Sequence, residues 1–216
     1  MKFASDFLET MKSASNQRLL KAQSILSSEK LEMVVQDSQN LPALRPLQLN
    51  NFSIIAEVKR RSPALGDLNH HLLSLEARVK LYTESGASAV SVLTEPDRFD
   101  GDLNDLPKAY KVAGHIPLMR KDFIVDPYQI SEARLKGASG VLLIVRMLSL
   151  GILIDCMQKA QQLGMFVLLE LFEESELDHL NSALQYWTQS PSQCLIGVNS
   201  RNLVTLQVNS QQLYAL

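Results

Sequence analysis

Six short apolar segments recur along this chain of 216 residues, and each of them ends in polar or charged residues. Stretches in which apolar residues have helical spacing separate the segments. Strands that are apolar on both faces are typical of a parallel sheet covered by helices. The sequence therefore predicts an α/β fold built from a repeated strand–helix unit. The six predicted strands lie at residues 53–59, 89–95, 117–123, 141–145, 166–170 and 195–199.

The polar residues always follow the carboxyl ends of the predicted strands. An open doubly wound sheet takes its chemistry from a crevice at one switch point, whereas several different strands offer polar groups here. That distribution favours the mouth of a (β/α)8 barrel, the TIM barrel fold, which needs eight units. Residues 51–216 supply about six of these units. We therefore expect a barrel that is incomplete at its C-terminal end, with two open sheet edges that offer a route to self-association.

Residues 1–50 are predicted to form a helical extension that precedes the barrel. Apolar residues have helical spacing over residues 3–38, and residues 13–16 are expected to divide this stretch into two helices. Residues 39–50 contain two prolines and are predicted to be an extended connector. The expected role of the extension is to cap one end of the fold.

The composition excludes several classes of function. A formal net charge of −2 gives no general field that would hold nucleic acid or an anionic membrane. The N-terminal residues contain no long apolar run, so no signal peptide or membrane span is expected and the predicted location is the cytoplasm. The two cysteines are far apart and the four histidines lack the spacing of metal ligands. Neither a disulfide framework nor a metal site is therefore predicted.

Acidic and basic side chains are both present in the predicted barrel mouth. Glu57 and Lys59 are two residues apart, so on a strand they point to the same face. Two carboxylates and two ammonium groups in one mouth shift each other's pKa values, which is how acid and base roles arise near neutral pH. The alternative interpretation is a structural ion pair at the end of a barrel. The strand-end set consists of Glu57, Lys59, Lys121, Glu170, Asn199 and Arg201.

Each predicted strand also carries a recognisable motif. The motifs are IAEVKRRSP at 55–63, SVLTE at 91–95 followed by Phe99 and Gly101, RKDFIVD at 120–126 with Tyr128 and Gln129, GVLLI at 140–144, LLE at 168–170, and IGVNSRNL at 196–203. Together they resemble the motifs of the indole-3-glycerol-phosphate synthase family of tryptophan biosynthesis. The resemblance covers nearly all of the chain, including the helices before the barrel. Six motifs in this order and at this spacing make it specific.

The resemblance implies a TIM barrel enzyme that uses neither a metal nor an organic cofactor. Its substrate is a phosphorylated small molecule, 1-(2-carboxyphenylamino)-1-deoxyribulose 5-phosphate. A ring carbon attacks the ketone carbon, carbon dioxide leaves, and water is eliminated to form the indole. By analogy with the family, Lys121 is the acid at the ketone oxygen and Lys59 holds the anthranilate carboxylate. Glu170 exchanges protons during the dehydration, and Glu57 assists it.

The same resemblance implies a set of substrate-binding residues. Asn199 orients the substrate hydroxyls, and Arg201 supports the site. Ser62, in the first loop, lies near the substrate. Phe99 and Phe123 pack on the anthranilate ring, for which the alternative is ordinary packing in the core or at the rim.

The sequence departs from the family pattern in two respects. Asp102 stands where many members have serine, which is a minor change. In the family, the seventh and eighth strands bind the substrate phosphate, and neither strand is found here. An alternative is therefore an inactive or partner-dependent partial barrel without the phosphate site. Another alternative is a phosphate-sugar isomerase on the same fold, which the combined lysines and glutamates of the strand ends argue against.

Overall fold

The computed structural model describes residues 2–50, 52–62, 66–68 and 73–200 of the chain. One site residue expected from the sequence, Arg201, lies outside these residues. Within them, no helix is both long enough and apolar enough to cross a membrane.

The helices of the described residues alternate with strands along most of the chain. The strands are β1 (Ile55–Val58), β2 (Arg61–Ser62), β3 (Gly66–Asp67), β4 (Ala89–Leu93), β5 (Leu118–Lys121), β6 (Gly140–Ile144), β7 (Phe166–Leu171) and β8 (Cys194–Val198). The helices are α1 (Lys2–Ile25), α2 (Ser28–Gln36), α3 (Leu75–Glu84), α4 (Pro96–Phe99), α5 (Asp105–Val112), α6 (Pro127–Leu135), α7 (Leu150–Gln162) and α8 (Leu177–Leu184). Short 3-10 helices cover Ser38–Asn40, Val145–Met147, Glu174–Glu176 and Pro191–Gln193.

Six of these strands form one parallel sheet. Their order is β1-β4-β5-β6-β7-β8, which is also their order along the chain, while β2 and β3 form a small antiparallel pair. A doubly wound sheet would reverse direction at a switch point. A sheet wound in one direction is instead the wall of a (β/α) barrel, so the predicted α/β barrel fold is confirmed, with six parallel strands in the described part of the chain.

Alternate residues of the strands face two different layers. Leu118, Val141 and Val167 are fully buried in the main core cluster, in which helix residues such as Ile130 and Leu153 also lie. On the opposite face, Leu47 of the connector is buried in a separate cluster with residues from the starts of three strands, Ala89, Met119 and Phe166. The connector therefore covers the amino end of the sheet, and the carboxyl ends of the strands remain for the site.

The break within the N-terminal helical stretch was predicted at the wrong place. Helix α1 is continuous through residues 13–16, and the break comes after Ile25. Ser27 begins α2 as its N-cap, with its side chain accepting a hydrogen bond from the amide of Lys30. Ser15 is instead fully buried and accepts a hydrogen bond from Gln129 Nε2 at 3.0 Å. A tertiary contact therefore accounts for the serine that looked like a helix breaker.

Strand β1 is less buried than its apolar sequence predicted. Val58 is buried, but Ile54 just before the strand is 50% exposed. In the described residues, β1 has β4 as its one hydrogen-bonded neighbour, and β8 likewise pairs with β7. Ile196 on β8 is also 53% exposed. The exposure of Ile54 and Ile196 follows from this one-sided strand pairing. Self-association through these two sheet edges stays a prediction.

Candidate active site

A cavity that is open to solvent lies at the carboxyl ends of the parallel strands. Side chains alternate along a strand, and alternate residues of β1, β6 and β7 and their following loops line this cavity, together with residues of α1 and of the loops after β4 and β5. The lining residues are Phe7, Leu8, Glu57, Lys59, Leu93, Phe99, Lys121, Asp122, Phe123, Leu142, Ile144, Glu170, Phe172 and Asn199.

Glu57 is the centre of the charged side of this cavity. One of its carboxylate oxygens forms an ion pair with the ammonium group of Lys59, and the other pairs with the ammonium group of Lys121. Burial by itself would raise the pKa of Glu57, but the charges and hydrogen bonds of the two lysines outweigh it and hold the pKa below its ordinary value. Glu57 is therefore a carboxylate at neutral pH, and it holds both ammonium groups in the cavity.

Glu170 has the opposite electrostatic environment. Burial raises its pKa above the ordinary value, although Lys121 and a hydrogen bond from Asn199 act against this effect. Asn199 donates from Nδ2 to Glu170 Oε1 over 3.2 Å. Glu57 and Glu170 therefore differ in proton affinity within one cavity, which suits one of them to holding charge and the other to exchanging a proton.

Three phenylalanines form an apolar wall beside these charged groups. The rings of Phe99 and Phe123 have centroids 6.1 Å apart, and Phe7 meets Phe123 edge to face at 6.0 Å. Phe99 and Phe123 were predicted from the family resemblance, whereas Phe7 was not. Its apolar spacing with Leu8 and Met11 indicated a buried helix face, but a helical pattern alone does not say which surface that face packs against.

The two strand-end residues next to Lys121 face partly away from the cavity. Arg120 donates hydrogen bonds to Asp122 at 3.0 Å and Glu132 at 2.8 Å, and also to Thr94 and the carbonyl of Gln129. Burial would raise the pKa of Asp122, but the charges of Arg120 and Arg18 hold it below its ordinary value. Of the three consecutive charges at the end of β5, Lys121 is thus the one whose ammonium group enters the cavity.

Most of the predicted site residues meet in this cavity. Glu57, Lys59, Lys121, Glu170, Asn199, Phe99 and Phe123 all line it. Ser62 does not; it is 2% exposed in β2, opposite Gly66 of β3. Four further lining residues were not predicted, although the alternation of strand residues could have indicated them: Leu93, Leu142, Ile144 and Phe172. In the described part of the chain, no group of three or more histidine, cysteine, aspartate or glutamate residues could hold a metal ion.

A parallel sheet wound in one direction, with acid and base groups converging at the carboxyl ends of its strands, defines this chain as a (β/α) barrel protein with a candidate active site. The family follows from sequence. A family model described as indole-3-glycerol phosphate synthase matches residues 8–216, so the chain belongs to that family. The resemblance seen in the six strand motifs is thereby confirmed.

Individual relatives agree with the family assignment. An indole-3-glycerol phosphate synthase of Parafrankia sp. (strain EAN1pec) is 45% identical over 170 residues, which cover 78% of this chain and 59% of that protein. One of Mycolicibacterium gilvum (strain PYR-GCK) is 44% identical over 169 residues, or 78% and 58% of the two chains. This chain thus spans about three-fifths of the length of the curated relatives it matches.

Among solved structures, a triosephosphate isomerase from Bartonella henselae aligns with a TM-score of 0.45 and 18% sequence identity. The alignment covers 74% of this chain and 70% of that one.

Proposed function

We propose that this site catalyses the indole-3-glycerol phosphate synthase reaction of tryptophan biosynthesis, a carboxy-lyase reaction on 1-(2-carboxyphenylamino)-1-deoxyribulose 5-phosphate. The relatives of this chain carry that enzyme's name. The observation that carries the proposal is the convergence of Lys59 and Lys121 on Glu57, directly beside a wall of phenylalanine rings. The substrate likewise combines an aromatic ring with a carboxylate and a ketone.

The first step requires an acid, because an aromatic ring carbon is a weak nucleophile and the ketone must be polarised before it is attacked. We assign this role to Lys121, whose ammonium group enters the cavity from the end of β5. As the new carbon–carbon bond forms, Lys121 gives a proton to the ketone oxygen, which becomes a hydroxyl. Glu57 holds the lysine in place by its ion pair.

Decarboxylation follows and restores the aromatic ring. Lys59 supplies the positive charge that holds the anthranilate carboxylate before carbon dioxide leaves, and it shares the Glu57 carboxylate with Lys121. Phe99 and Phe123 pack on the anthranilate ring, and Phe7 joins them from helix α1. An apolar wall beside a cation fits the two ends of an anthranilate group.

Elimination of water completes the indole. Glu170 is suited to this proton exchange because burial raises its pKa towards neutrality. Asn199, which donates to Glu170, orients the substrate hydroxyls. Arg201 and Ser62 keep the supporting roles implied by the family resemblance, and the contacts of both with substrate are predictions.

The test is a fluorescence assay for indole-3-glycerol phosphate formation by this chain. A relative such as the Parafrankia synthase is the positive control. We expect turnover by the chain, and its loss when Lys121 is changed to methionine. Equal product formation by the Lys121→Met variant, or isomerisation of the substrate without loss of carbon dioxide, would contradict the proposal.

A further inference from the structure

Helix α1 inserts one cation between two buried carboxylates at the ends of neighbouring strands. Arg18 Nη1 lies 3.3 Å from Glu95 Oε1, just after β4, and Arg18 Nη2 lies 2.9 Å from Asp122 Oδ1, just after β5. The Glu95 and Asp122 side chains are 0% and 1% exposed, against 25% for Arg18. A buried ion pair of this kind is costly to break from one side, because the remaining charges stay uncompensated.

The first branch of this contact leads to the proposed acid and to one ring of the apolar wall. Asp122 is the residue after Lys121, and its Oδ1 atom also accepts the backbone N–H of Phe123 at 2.8 Å. The other oxygen of Asp122, Oδ2, accepts hydrogen bonds from the Thr94 hydroxyl at 2.7 Å and from Arg120 Nη2 at 3.0 Å. The orientation of the Asp122 carboxylate therefore fixes the backbone conformation at Lys121 and Phe123.

The second branch leads to the other ring. Glu95 is the N-cap of α4, where its side chain accepts hydrogen bonds from the N–H groups of Asp97 at 2.9 Å and Arg98 at 2.8 Å. Helix α4 ends at Phe99, whose ring packs against Phe123. A helix of one turn has little stability of its own, so its position depends on this cap.

No other cation among the described residues joins the same two carboxylates. Arg120 contacts Asp122, but its remaining donors go to Glu132, Thr94 and the carbonyl of Gln129. Without Arg18, Glu95 would lose the cation that it contacts and Asp122 would keep only Arg120, so the repulsion between these two neighbouring carboxylates would increase and displace the ends of β4 and β5 relative to each other.

We propose that Arg18 is a positioning residue, which aligns the two phenylalanine rings and the Lys121 backbone through Asp122 and Glu95 without touching the substrate. The consequence for turnover rests on the proposed function, whereas the consequence for the rings does not. The N-terminal helix is on this view part of the active-site architecture rather than a cap.

The test uses the full chain labelled with 4-fluorophenylalanine and compares its ¹⁹F NMR spectrum with those of Arg18→Met and Arg18→Lys. The control is Lys21→Met, because Lys21 is an exposed residue of the same helix. We expect the Phe99 and Phe123 resonances to move in Arg18→Met and to move less in Arg18→Lys, which keeps the charge. The Phe166 resonance, from the amino end of the sheet, should stay in place.

Two spectral outcomes would overturn the proposal. In the first, the Phe99 and Phe123 resonances remain unshifted in both Arg18 variants. In the second, the Phe166 resonance of Arg18→Lys shifts as much as the Phe99 and Phe123 resonances do, and such an equal shift would mean a global effect on folding. If Arg18→Met does not fold, Arg18→Lys decides between these outcomes by the same comparison.

A kinetic measurement completes the test. We expect kcat/KM for indole-3-glycerol phosphate formation to fall about 10-fold or more in Arg18→Met and to be partly restored in Arg18→Lys, because small displacements of reacting groups have large effects on rate. Shifted rings with unchanged kcat/KM would overturn the role in the reaction. Absence of turnover in the unaltered chain would instead count against the proposed function, and the spectra would still decide the positioning of the rings.

Discussion

Glu57 on β1 pairs with Lys121 on β5, which lies 64 positions further along the chain and on the far side of β4 in the sheet. The pair stabilises the ionised form of Glu57, whose pKa lies below its ordinary value although burial acts in the opposite direction. Because that pKa is depressed on folding, the stabilisation is present above the ordinary pKa and is lost as pH falls through the lowered one. The pair is therefore intact at neutral pH.

Replacing Lys121 by methionine should reduce kcat about 10²- to 10⁴-fold, the range typical of a lost general acid. Methionine keeps much of the apolar stem of the side chain and removes the ammonium group. Lys80→Met is the matched control, since Lys80 is an exposed residue on α3. Steady-state kinetics of both variants provide the measurement. A Lys121→Met enzyme with the kcat of the Lys80→Met control would contradict the assignment.

The pH dependence of kcat should report on Glu170. Burial raises the pKa of Glu170 above the ordinary pKa of glutamate. As pH falls, a step that needs the carboxylate form should therefore begin to lose rate at a higher pH than it would with an ordinary glutamate. Asn199 lowers this pKa by hydrogen bonding to Glu170, and Asn199→Ala should move the acidic limb to higher pH. Glu170→Gln should remove the limb. A limb unchanged in both variants would assign it to another group.

Phe7→Ala should raise KM about 10-fold with a smaller effect on kcat, because Phe7 lines the cavity beside Phe123 and, in the proposed function, its ring packs on the anthranilate group without taking part in proton transfer. Phe52→Ala is the control, since the Phe52 side chain is 83% exposed. Kinetics over a range of substrate concentrations separate the two parameters. An equal KM in the two variants would place Phe7 outside the binding site.

Arg120→Met should lower the free energy of unfolding by about 3–5 kcal/mol, the usual cost of removing one partner from a buried ion pair. Arg120 is almost fully buried and pairs with both Asp122 and Glu132. Lys111→Met, at an exposed position of α5, should change stability by less than about 0.5 kcal/mol. Urea unfolding of both variants gives the comparison. Equal midpoints would show that the ion pairs add no stability.

Gly101→Ala should destabilise the fold by about 1–3 kcal/mol through overpacking. An added Cβ would lie 2.5 Å from the carbonyl oxygen of Leu93 and 2.7 Å from the carbonyl carbon of Thr94, both of which are backbone atoms at the end of β4. Gly151→Ala on α7 is the control, because a Cβ there meets nothing within 4 Å. Thermal unfolding should show a lowered Tm for Gly101→Ala and an unchanged Tm for Gly151→Ala. An equal Tm would mean that the strand end yields readily.

Much of the fold could be predicted because each strand has a local sequence pattern that indicates its conformation. Short apolar runs such as 141–145 are bounded by glycine and polar residues, and these local signals need no knowledge of the partner strand. The continuity of α1 could not be predicted in this way. Its buried Ser15 is stabilised by Gln129, 114 residues away, and helix propensity takes no account of such a contact.

The strand-end groups of the site were also predictable, since parallel strands bring their carboxyl ends to one edge. The sequence alone predicted that Glu57, Lys121 and Glu170 lie there. Two features could not be inferred from it: that Phe7 of α1 reaches the same cavity, and that Arg120 leaves it. Both depend on which face of an element meets which neighbour.

The strand–helix repeat, the chemical groups at the strand ends and the family of this chain could all be predicted from the sequence, because periodicity and residue type are local properties. The difference in proton affinity between the two glutamates of the cavity could be seen only in the folded structure. Glu57 has a lowered pKa and Glu170 a raised one, although both follow apolar strand residues. A pKa depends on burial and on nearby charges, and Lys59, Lys121 and Asn199 reach these carboxylates from different positions of the folded sheet.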